Sequence, residues 1–238
     1  MLFKDFPISP EVKQGIADLG FTETFPIQEQ AISPMLKGRN VIGQAKTGTG
    51  KTAAFGVPMI ERLDWTARGV QGLVLTPTRE LALQVADSLN SLAKYTPLRA
   101  TPVYGGIPLE PQVNAFRRGV QMIVGTPGRI IDHMKRGTLR LDSVRVVVLD
   151  EADRMLDMGF IDDIEYILQR TPRQKQISLW SATIDSRTKR LSSRYVPNAE
   201  IMLVSRDEIA VEEIDQHYIR MAPYEKFENL QRLIRHMG

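Results

Sequence analysis

Short apolar runs alternate with amphipathic stretches along most of the chain, and each run has the length of a β-strand. The strongest run is Val144–Leu149, which predicts a strand. Runs of the same kind predict further strands at Val41-Ile42, Gly72–Leu75, Thr101–Tyr104, Val120–Val124 and Gln176–Trp180.

Helical periodicity and capping residues fill the intervals between these runs. The first helix is predicted to begin after Ser9, because serine is a favourable N-cap, Pro10 suits the first turn and Gly20 ends the pattern. Further helices are predicted near residues 27–37, from Lys51 towards Leu63, and at Arg79–Tyr95, Pro111–Arg118, from Pro127, at Phe160–Gln169 and at Asp185–Tyr195. Alternation of this kind needs crossover connections, so it predicts an α/β fold, a parallel sheet with helices on both faces.

The composition of the chain changes at Ser205–Glu208, where charged residues accumulate. One predicted strand, Gln216–Met221, and one amphipathic helix around residues 227–234 follow. A single strand and a single helix cannot bury a core. We therefore expect one domain over residues 1–206, and over 207–238 a linker and the first unit of a second domain.

The segment after Val41-Ile42 has the pattern of a phosphate-binding loop. Glycines at 48 and 50 let backbone N–H groups surround an anion, and the N-terminus of the following helix adds further donors. Lys51 is predicted to reach the β- and γ-phosphates, and the Thr52 hydroxyl to bind Mg²⁺. The residues predicted to bind nucleotide here are Ala45, Lys46, Thr47, Gly48, Thr49, Gly50, Lys51 and Thr52. Ala45 stands at the position where the pattern usually begins with glycine. The alternative, an ordinary glycine turn, is disfavoured because a predicted strand precedes the loop and a predicted helix follows it.

Two acidic residues, Asp150 and Glu151, directly follow the strongest strand. Ligands of open parallel sheets bind at the carboxyl ends of the strands, where these carboxylates are expected. Asp150 is predicted to hold Mg²⁺, and Glu151 to orient and deprotonate the water that attacks the γ-phosphate. Lys51, Asp150 and Glu151 are thus the candidate catalytic residues. The alternative is a solvated acidic loop.

Other strand ends carry groups suited to the phosphates of a polymer. Two of them combine a helix N-terminus with an arginine, and a third has paired glycines that allow close approach of a backbone. The residues predicted to bind nucleic acid are Pro77, Thr78, Arg79, Glu80, Gly105, Gly106, Thr126, Pro127, Gly128 and Arg129. Helix capping alone would explain each segment taken singly, with Thr126 as a good N-cap.

Hydroxyl residues follow the strand that ends at Trp180. Ser181 and Thr183 are placed to hydrogen-bond Asp153 and so to connect the nucleotide site with another surface. Spacing alone indicates no more than a helix cap.

Composition restricts the class of protein without selecting a function. Hydrophobic residues make up 42% and charged residues 25% of the chain, as in soluble globular proteins. Cysteine is absent, which excludes disulfides and thiolate metal sites. No apolar run approaches the ~20 residues of a membrane helix. A net charge of +3 permits a nucleic-acid partner. We expect a cytoplasmic protein without membrane association.

Together these segments resemble, in order from Phe3 to Thr183, the N-terminal RecA-like (P-loop NTPase) domain of DEAD-box RNA helicases. Gly20-Phe21 and Pro26–Gln28 match the family's adenine-reading segment, although Phe25 stands where the family often has a small residue. The resemblance implies that Gln28 reads the adenine edge, that Phe3 packs on the base, and that Asp153, Ser181 and Thr183 couple the sites. It implies ATP and Mg²⁺ as cofactors and RNA, bound through its backbone, as partner.

The family's remaining motifs belong to a second RecA-like domain and are absent from this sequence. The resemblance therefore implies that this chain alone binds nucleotide, hydrolyses it slowly and does not unwind RNA. Two alternatives use the same residues: an ATP-dependent RNA clamp that anchors partners, and another phosphate-loop enzyme such as a DNA helicase. The apolar residues within 216–238 suggest self-association.

Overall fold

The computed structural model describes residues 1–46, 48–203 and 219–237. Within these ranges seven strands form one sheet in which every neighbouring pair is parallel, in the order β3-β4-β2-β5-β6-β1-β7. The strands are β1 (Val41–Gln44), β2 (Gly72–Leu75), β3 (Ala100–Val103), β4 (Met122–Gly125), β5 (Val146–Leu149), β6 (Gln176–Ser181) and β7 (Glu200–Leu203).

Helices connect the strands and cover the sheet. They are α1 (Pro10–Asp18), α2 (Pro26–Leu36), α3 (Lys51–Arg62), α4 (Arg79–Leu92), α5 (Glu110–Arg117), α6 (Pro127–Lys135), α7 (Ala152–Asp157), α8 (Ile161–Leu168), α9 (Ser186–Tyr195) and, near the C-terminus, α10 (Lys226–Met237). Buried residues of α1–α4 pack on one face, and those of α6–α9 pack on the other.

Covering both faces explains why the central strands are apolar at consecutive positions. In β5, Val146 and Val148 belong to the core beneath α1–α4, whereas Val147 and Leu149 belong to the core beneath α6–α9. Each residue therefore loses its water contact whichever way its side chain points, which is typical of parallel sheets.

The predicted parallel sheet with helices on both faces is present, with some differences at its margins. The strand β7 and the short helix α7 were not predicted, and α4 ends at Leu92 rather than near Tyr95. In the edge strand β7, Ile201 and Leu203 are exposed, so this strand is not buried at every position as the central strands are. Pro102 lies in β3 at the opposite edge, where a missing backbone N–H does not interrupt the sheet.

Backbone contacts divide the chain into two compact units, Met1–Arg206 and Asp207–Gly238. In the second unit a 3₁₀ turn at Pro223–Glu225 precedes α10. Part of the strand predicted at 216–221 lies outside the described residues, and its described part, 219–221, is not in a strand. That this unit begins a second domain therefore stays a prediction. None of the described helices is long and apolar enough to cross a membrane.

Candidate nucleotide and nucleic-acid site

Because the strands are parallel, their carboxyl ends lie side by side, and all the candidate segments that follow a strand meet there. This border of the sheet is the edge discussed below. The end of β1 leads into the phosphate loop, and the ends of β5 and β6 lead into the segments at Asp150 and Ser181. The ends of β2, β3 and β4 lead into the segments at Pro77, Gly105 and Thr126. The structure thus brings the predicted nucleotide and nucleic-acid residues to a common edge.

The phosphate loop ends in a helix N-terminus that no side chain caps. Gly50 is the N-cap of α3 and has a left-handed backbone, with φ of 83°, as does Gly48, with φ of 85°. Unpaired N–H groups in the first turn of a helix form a site for an anion. Thr49 Oγ1 donates a hydrogen bond to the Lys46 carbonyl across the loop, at 2.7 Å. Thr47 lies outside the described residues.

Ala45 fits the position where the phosphate-loop pattern begins with glycine. Its backbone does not adopt a positive φ, so a Cβ atom introduces no strain there. Its N–H donates to the Ser181 carbonyl at 3.0 Å, which joins the start of the loop to the end of β6. The departure from the strict motif is therefore compatible with the loop's geometry.

Lys51 is a buried cation, with 7% of its surface exposed. Its Nζ atom has no hydrogen-bond partner among the described residues. An ammonium group removed from water without a partner costs free energy, and a phosphate oxygen would supply the missing acceptor. The orphaned ammonium at the N-terminus of α3 therefore fits a phosphorylated ligand.

Asp150 is the acidic counterpart of this lysine and is 3% exposed. Burial raises its pKa to about 6, although the positive charge of Lys51 acts in the opposite direction. Asp150 Oδ1 accepts the N–H of Glu151 at 3.0 Å, and Glu151 adopts a left-handed backbone with φ of 50°. Such a conformation is strained for a residue with a side chain, and strain of this kind occurs often at functional sites.

The oxygen ligands that the protein supplies at this edge are too few to hold Mg²⁺ without phosphate oxygens from a ligand. Among the residues that the structure describes, no three His, Cys, Asp or Glu side chains group together to hold a metal. Mg²⁺ is commonly held by one or two carboxylates together with substrate phosphates and water. Asp150 and the half-buried Thr52 could supply the protein ligands in such an arrangement.

Gln28 is fully buried and lies directly against the phosphate loop. Its Nε2 donates to the Gly50 carbonyl at 3.0 Å, and its Oε1 accepts the Phe25 N–H at 2.9 Å. A Cβ atom at position 50 would lie 2.3 Å from Gln28 Nε2. Glycine is thus required at position 50 both for its φ angle and for contact with the glutamine.

A cavity of about 500 Å³ opens beside the phosphate loop and Gln28. Phe21 and Phe25 line it with apolar surface, and Gly48, Gly50 and Thr52 line it on the loop side. Such a mixture of aromatic rings and a few polar groups suits a planar heterocycle.

Phe3, which the resemblance assigns to the base, is only 3% exposed, whereas Phe21 is 40% exposed. The Phe3 ring lies behind Phe21, with 6.2 Å between the ring centroids. The part played by Phe3 stays a prediction. Phe21 belongs to the segment that matches the family's adenine-reading motif, although it is not among the residues predicted to bind nucleotide. That match is the signal for Phe21 in the sequence.

The coupling residues are hydrogen-bonded to one another. Asp153 Oδ2 accepts the N–H and the hydroxyl of Thr183, both at 2.9 Å. Ser181 Oγ accepts the Asp153 N–H at 3.3 Å and donates to the Thr183 carbonyl at 2.6 Å. The contact between these segments is therefore present, while its role in coupling stays a prediction.

The two arginines predicted to face nucleic acid differ in their surroundings. Arg79 is exposed, and its guanidinium lies over the Tyr104 ring, 4.8 Å from the centroid. Arg129 donates from Nη2 to the Ile107 carbonyl at 2.9 Å, while its buried Nη1 has no partner among the described residues. Both side chains thus flank the loop that carries Gly105 and Gly106.

The remaining residues of this surface are distributed as follows. Gly105, Gly106, Gly128 and Glu80 are exposed, whereas Pro77 and Pro127 are buried. Thr78 caps α4 by accepting the Leu81 N–H at 3.3 Å. Thr126 is the N-cap of α6 and Pro127 lies in its first turn, as predicted, although the Thr126 hydroxyl makes no capping hydrogen bond.

A family model described as DEAD/DEAH box helicase matches residues 25–191. The chain belongs to the DEAD/DEAH box helicase family. It is 47% identical over 232 residues to the DEAD-box ATP-dependent RNA helicase CshA of Geobacillus kaustophilus, which covers 98% of this chain and 50% of the relative. It is 44% identical to the ATP-dependent RNA helicase CshA of Listeria monocytogenes, with coverage of 98% and 45%. The chain thus spans about half the length of these relatives.

Solved structures of DEAD box proteins have the same fold. A DEAD box protein from the hyperthermophile Methanococcus jannaschii superposes with a TM-score of 0.81 at 40% identity, over 98% of this chain and 63% of that one. A hypothetical ATP-dependent RNA helicase from Sulfolobus tokodaii superposes with a TM-score of 0.76 at 39% identity, over 82% and 57%. These neighbours confirm the predicted RecA-like α/β fold.

Replacing either loop glycine with alanine tests the contact with Gln28. Both Gly48→Ala and Gly50→Ala should lose about 1–2 kcal/mol of unfolding free energy because alanine is strained at positive φ. Gly50→Ala should lose more, since its Cβ would also clash with Gln28. Urea unfolding of the two variants measures the difference. Equal losses would show that Gln28 does not constrain the loop.

Asp150→Asn should stabilise the fold at pH 7.5. The folded-state pKa of Asp150, about 6, lies above its ordinary value, so ionisation destabilises the folded protein as pH rises through 6. Asparagine removes this penalty, which we estimate at roughly 1–3 kcal/mol, and can still accept the Glu151 N–H. The advantage should shrink below pH 6 and vanish near pH 3.8, the ordinary pKa of an aspartate. Thermal unfolding at several pH values provides the measurement, and a pH-independent difference would contradict it.

Proposed function

We propose that this chain is the ATP-binding half of an ATP-dependent RNA helicase that acts in the cytoplasm. The observation that carries the proposal is the buried ammonium of Lys51, which has no partner among the described residues and stands at an uncapped helix N-terminus. A group placed in this way needs an anion, and the cavity beside it has room and aromatic surface for a base. The names of the relatives and the absence of cysteine support the activity and the compartment.

In this proposal Lys51 binds the β- and γ-phosphates, and Thr52 and Asp150 hold Mg²⁺. The ion would neutralise charge that develops on the phosphates. Glu151, whose N–H donates to Asp150, orients and deprotonates the attacking water. The Glu151 carboxylate also lies 3.5 Å from the exposed guanidinium of Arg154.

Base recognition is assigned to Gln28, whose amide already bonds the phosphate loop. The two bonds to Gly50 and Phe25 use one N–H of Nε2 and one lone pair of Oε1, so the amide retains a second donor and a second acceptor site for the adenine edge. Gln28 would therefore join the base to the phosphate loop. Phe21 presents the exposed ring at this point, with Phe3 packed behind it.

RNA is proposed to lie along the edge that carries Arg79, the glycine pair at 105–106 and Arg129. These groups suit sugar–phosphate contacts, which carry no sequence information. A second RecA-like domain in the same polypeptide would complete the ATP site. The half-length coverage of the relatives is consistent with such a domain.

ATP hydrolysis with and without single-stranded RNA tests the function. In a longer protein that includes a second domain, RNA should stimulate hydrolysis, and this chain alone should be slower by about 10³-fold, because a transition-state arginine is missing. Lys51→Ala should abolish the stimulated rate. A DNA strand of equal sequence is the control for RNA preference.

Equal, RNA-independent turnover in the short and long proteins would contradict the proposal. It would mean that the ATPase site is complete within this chain and that the nucleic-acid edge is misassigned.

We also propose that α10 self-associates through its apolar face. Phe227, Leu230 and Ile234 are all exposed, at the spacing of one helix face. The mass measured by light scattering should rise with protein concentration, and Leu230→Glu should abolish the rise. Arg232→Glu, on the opposite side of the helix from Leu230, is the control. A monomeric mass at every concentration would exclude this association.

A further inference from the structure

The two exposed glycines of the loop between β3 and α5, Gly105 and Gly106, have no side chains with which to fix their own position. Both glycines are exposed, and a Cβ atom at either would contact nothing within 4 Å among the described residues. Gly106 has φ of 83°, a conformation that only glycine adopts readily. The position of this loop must therefore be set by the residues on either side of it.

Two hydrogen bonds hold the loop at its two ends. Before the glycines, the Tyr104 carbonyl accepts Gln112 Nε2 at 3.1 Å. After them, the Ile107 carbonyl accepts Arg129 Nη2 at 2.9 Å. The Tyr104 ring in turn supports the guanidinium of Arg79. The loop and both candidate RNA-binding arginines thus share one set of contacts.

Gln112 is itself oriented from the interior by His133. Its Oε1 lies 2.9 Å from His133 Nε2, and His133 Nδ1 lies 2.8 Å from Thr138 Oγ1. Because Gln112 Nε2 donates to the Tyr104 carbonyl, Oε1 must accept, and His133 donates from Nε2. Burial lowers the pKa of His133, and the charge of Arg129 lowers it further, which favours the neutral ring.

We infer that Gln112 and His133 are positioning residues for the RNA-binding edge, in addition to the residues that contact RNA themselves. The chain of hydrogen bonds from α6 through α5 sets where the Tyr104 carbonyl lies, and with it the glycine loop and Arg79. This inference rests on the proposed RNA-binding function. It predicts that a change in the interior alters RNA affinity without touching the nucleotide site.

Gln71 offers a matched control. It is 1% exposed and Gln112 is 3% exposed, and each bonds backbone groups inside the protein. Gln71 Oε1 accepts the Asp64 N–H and its Nε2 donates to the Asp64 carbonyl, both at 2.9 Å. It directly precedes β2 and so lies at the amino ends of the strands, whereas the RNA-binding edge lies at their carboxyl ends. Its loss should therefore destabilise the fold without moving the RNA-binding edge.

The experiment compares Gln112→Met and His133→Leu with Gln71→Met in this chain. Fluorescence anisotropy with a labelled single-stranded RNA should show affinity about tenfold lower for Gln112→Met, equivalent to about 1.4 kcal/mol. His133→Leu should weaken RNA binding in the same direction. Affinity for a fluorescent adenine nucleotide should be unchanged in all three, and Gln71→Met should bind RNA as the unmodified chain does.

Hydrogen exchange over residues 104–109 gives a second measurement that needs no RNA. Exchange should be faster in Gln112→Met and unchanged in Gln71→Met. RNA affinity of Gln112→Met equal to that of the control, or unchanged exchange in this segment, would overturn the inference. If the unmodified chain bound no RNA, the proposed function of this edge would fail, while the exchange comparison would still decide whether Gln112 holds the loop.

Discussion

Parallel pairing of every strand in the sheet is the constraint on which the rest of the structure depends. It forces each strand to end at the same edge, so that loops far apart in sequence lie side by side there. The price is a crossover helix between strands and burial of both sheet faces, which the apolar strands and amphipathic helices satisfy. Because the core is closed on both faces, polar chemistry is concentrated at this edge.

The sequence predicts the parts of this arrangement that depend on local patterns. Continuous apolar runs mark central strands such as β5, and glycines before Lys51 mark the phosphate loop. The edge strand β7 was not predicted, although Ile201, Met202 and Leu203 form an apolar run. The exposure of Ile201 and Leu203 follows from the position of β7 at the margin of the sheet, which the sequence does not reveal. The contact between Gln112 and His133 also escapes detection, since 21 residues separate them and only the packing of α5 against α6 brings them together.

Ser181 shows how one residue can join two parts of the site. Its carbonyl accepts the Ala45 N–H at the start of the phosphate loop, and its hydroxyl accepts the Asp153 N–H at the start of α7. The sequence indicates only a hydroxyl after a strand, which is typical of a helix cap. The structure makes Ser181 a bridge, through its carbonyl on one side and its hydroxyl on the other, because β6 lies between β1 and β5 in the sheet.

The proposed nucleotide site is held in a state that is unfavourable for the protein alone. Lys51 buries an ammonium that lacks a hydrogen-bond partner among the described residues, Asp150 buries a carboxyl group, and Glu151 adopts a strained backbone. Each feature costs stability, and a phosphate–Mg²⁺ ligand would relieve the first two by supplying an anion for the ammonium and a cation for the carboxylate. A site that is prepared in this way need not rearrange its charges when the ligand arrives, because the packed sheet has already ordered them. The stability that the two cores supply is therefore what allows these groups to remain poised at the edge.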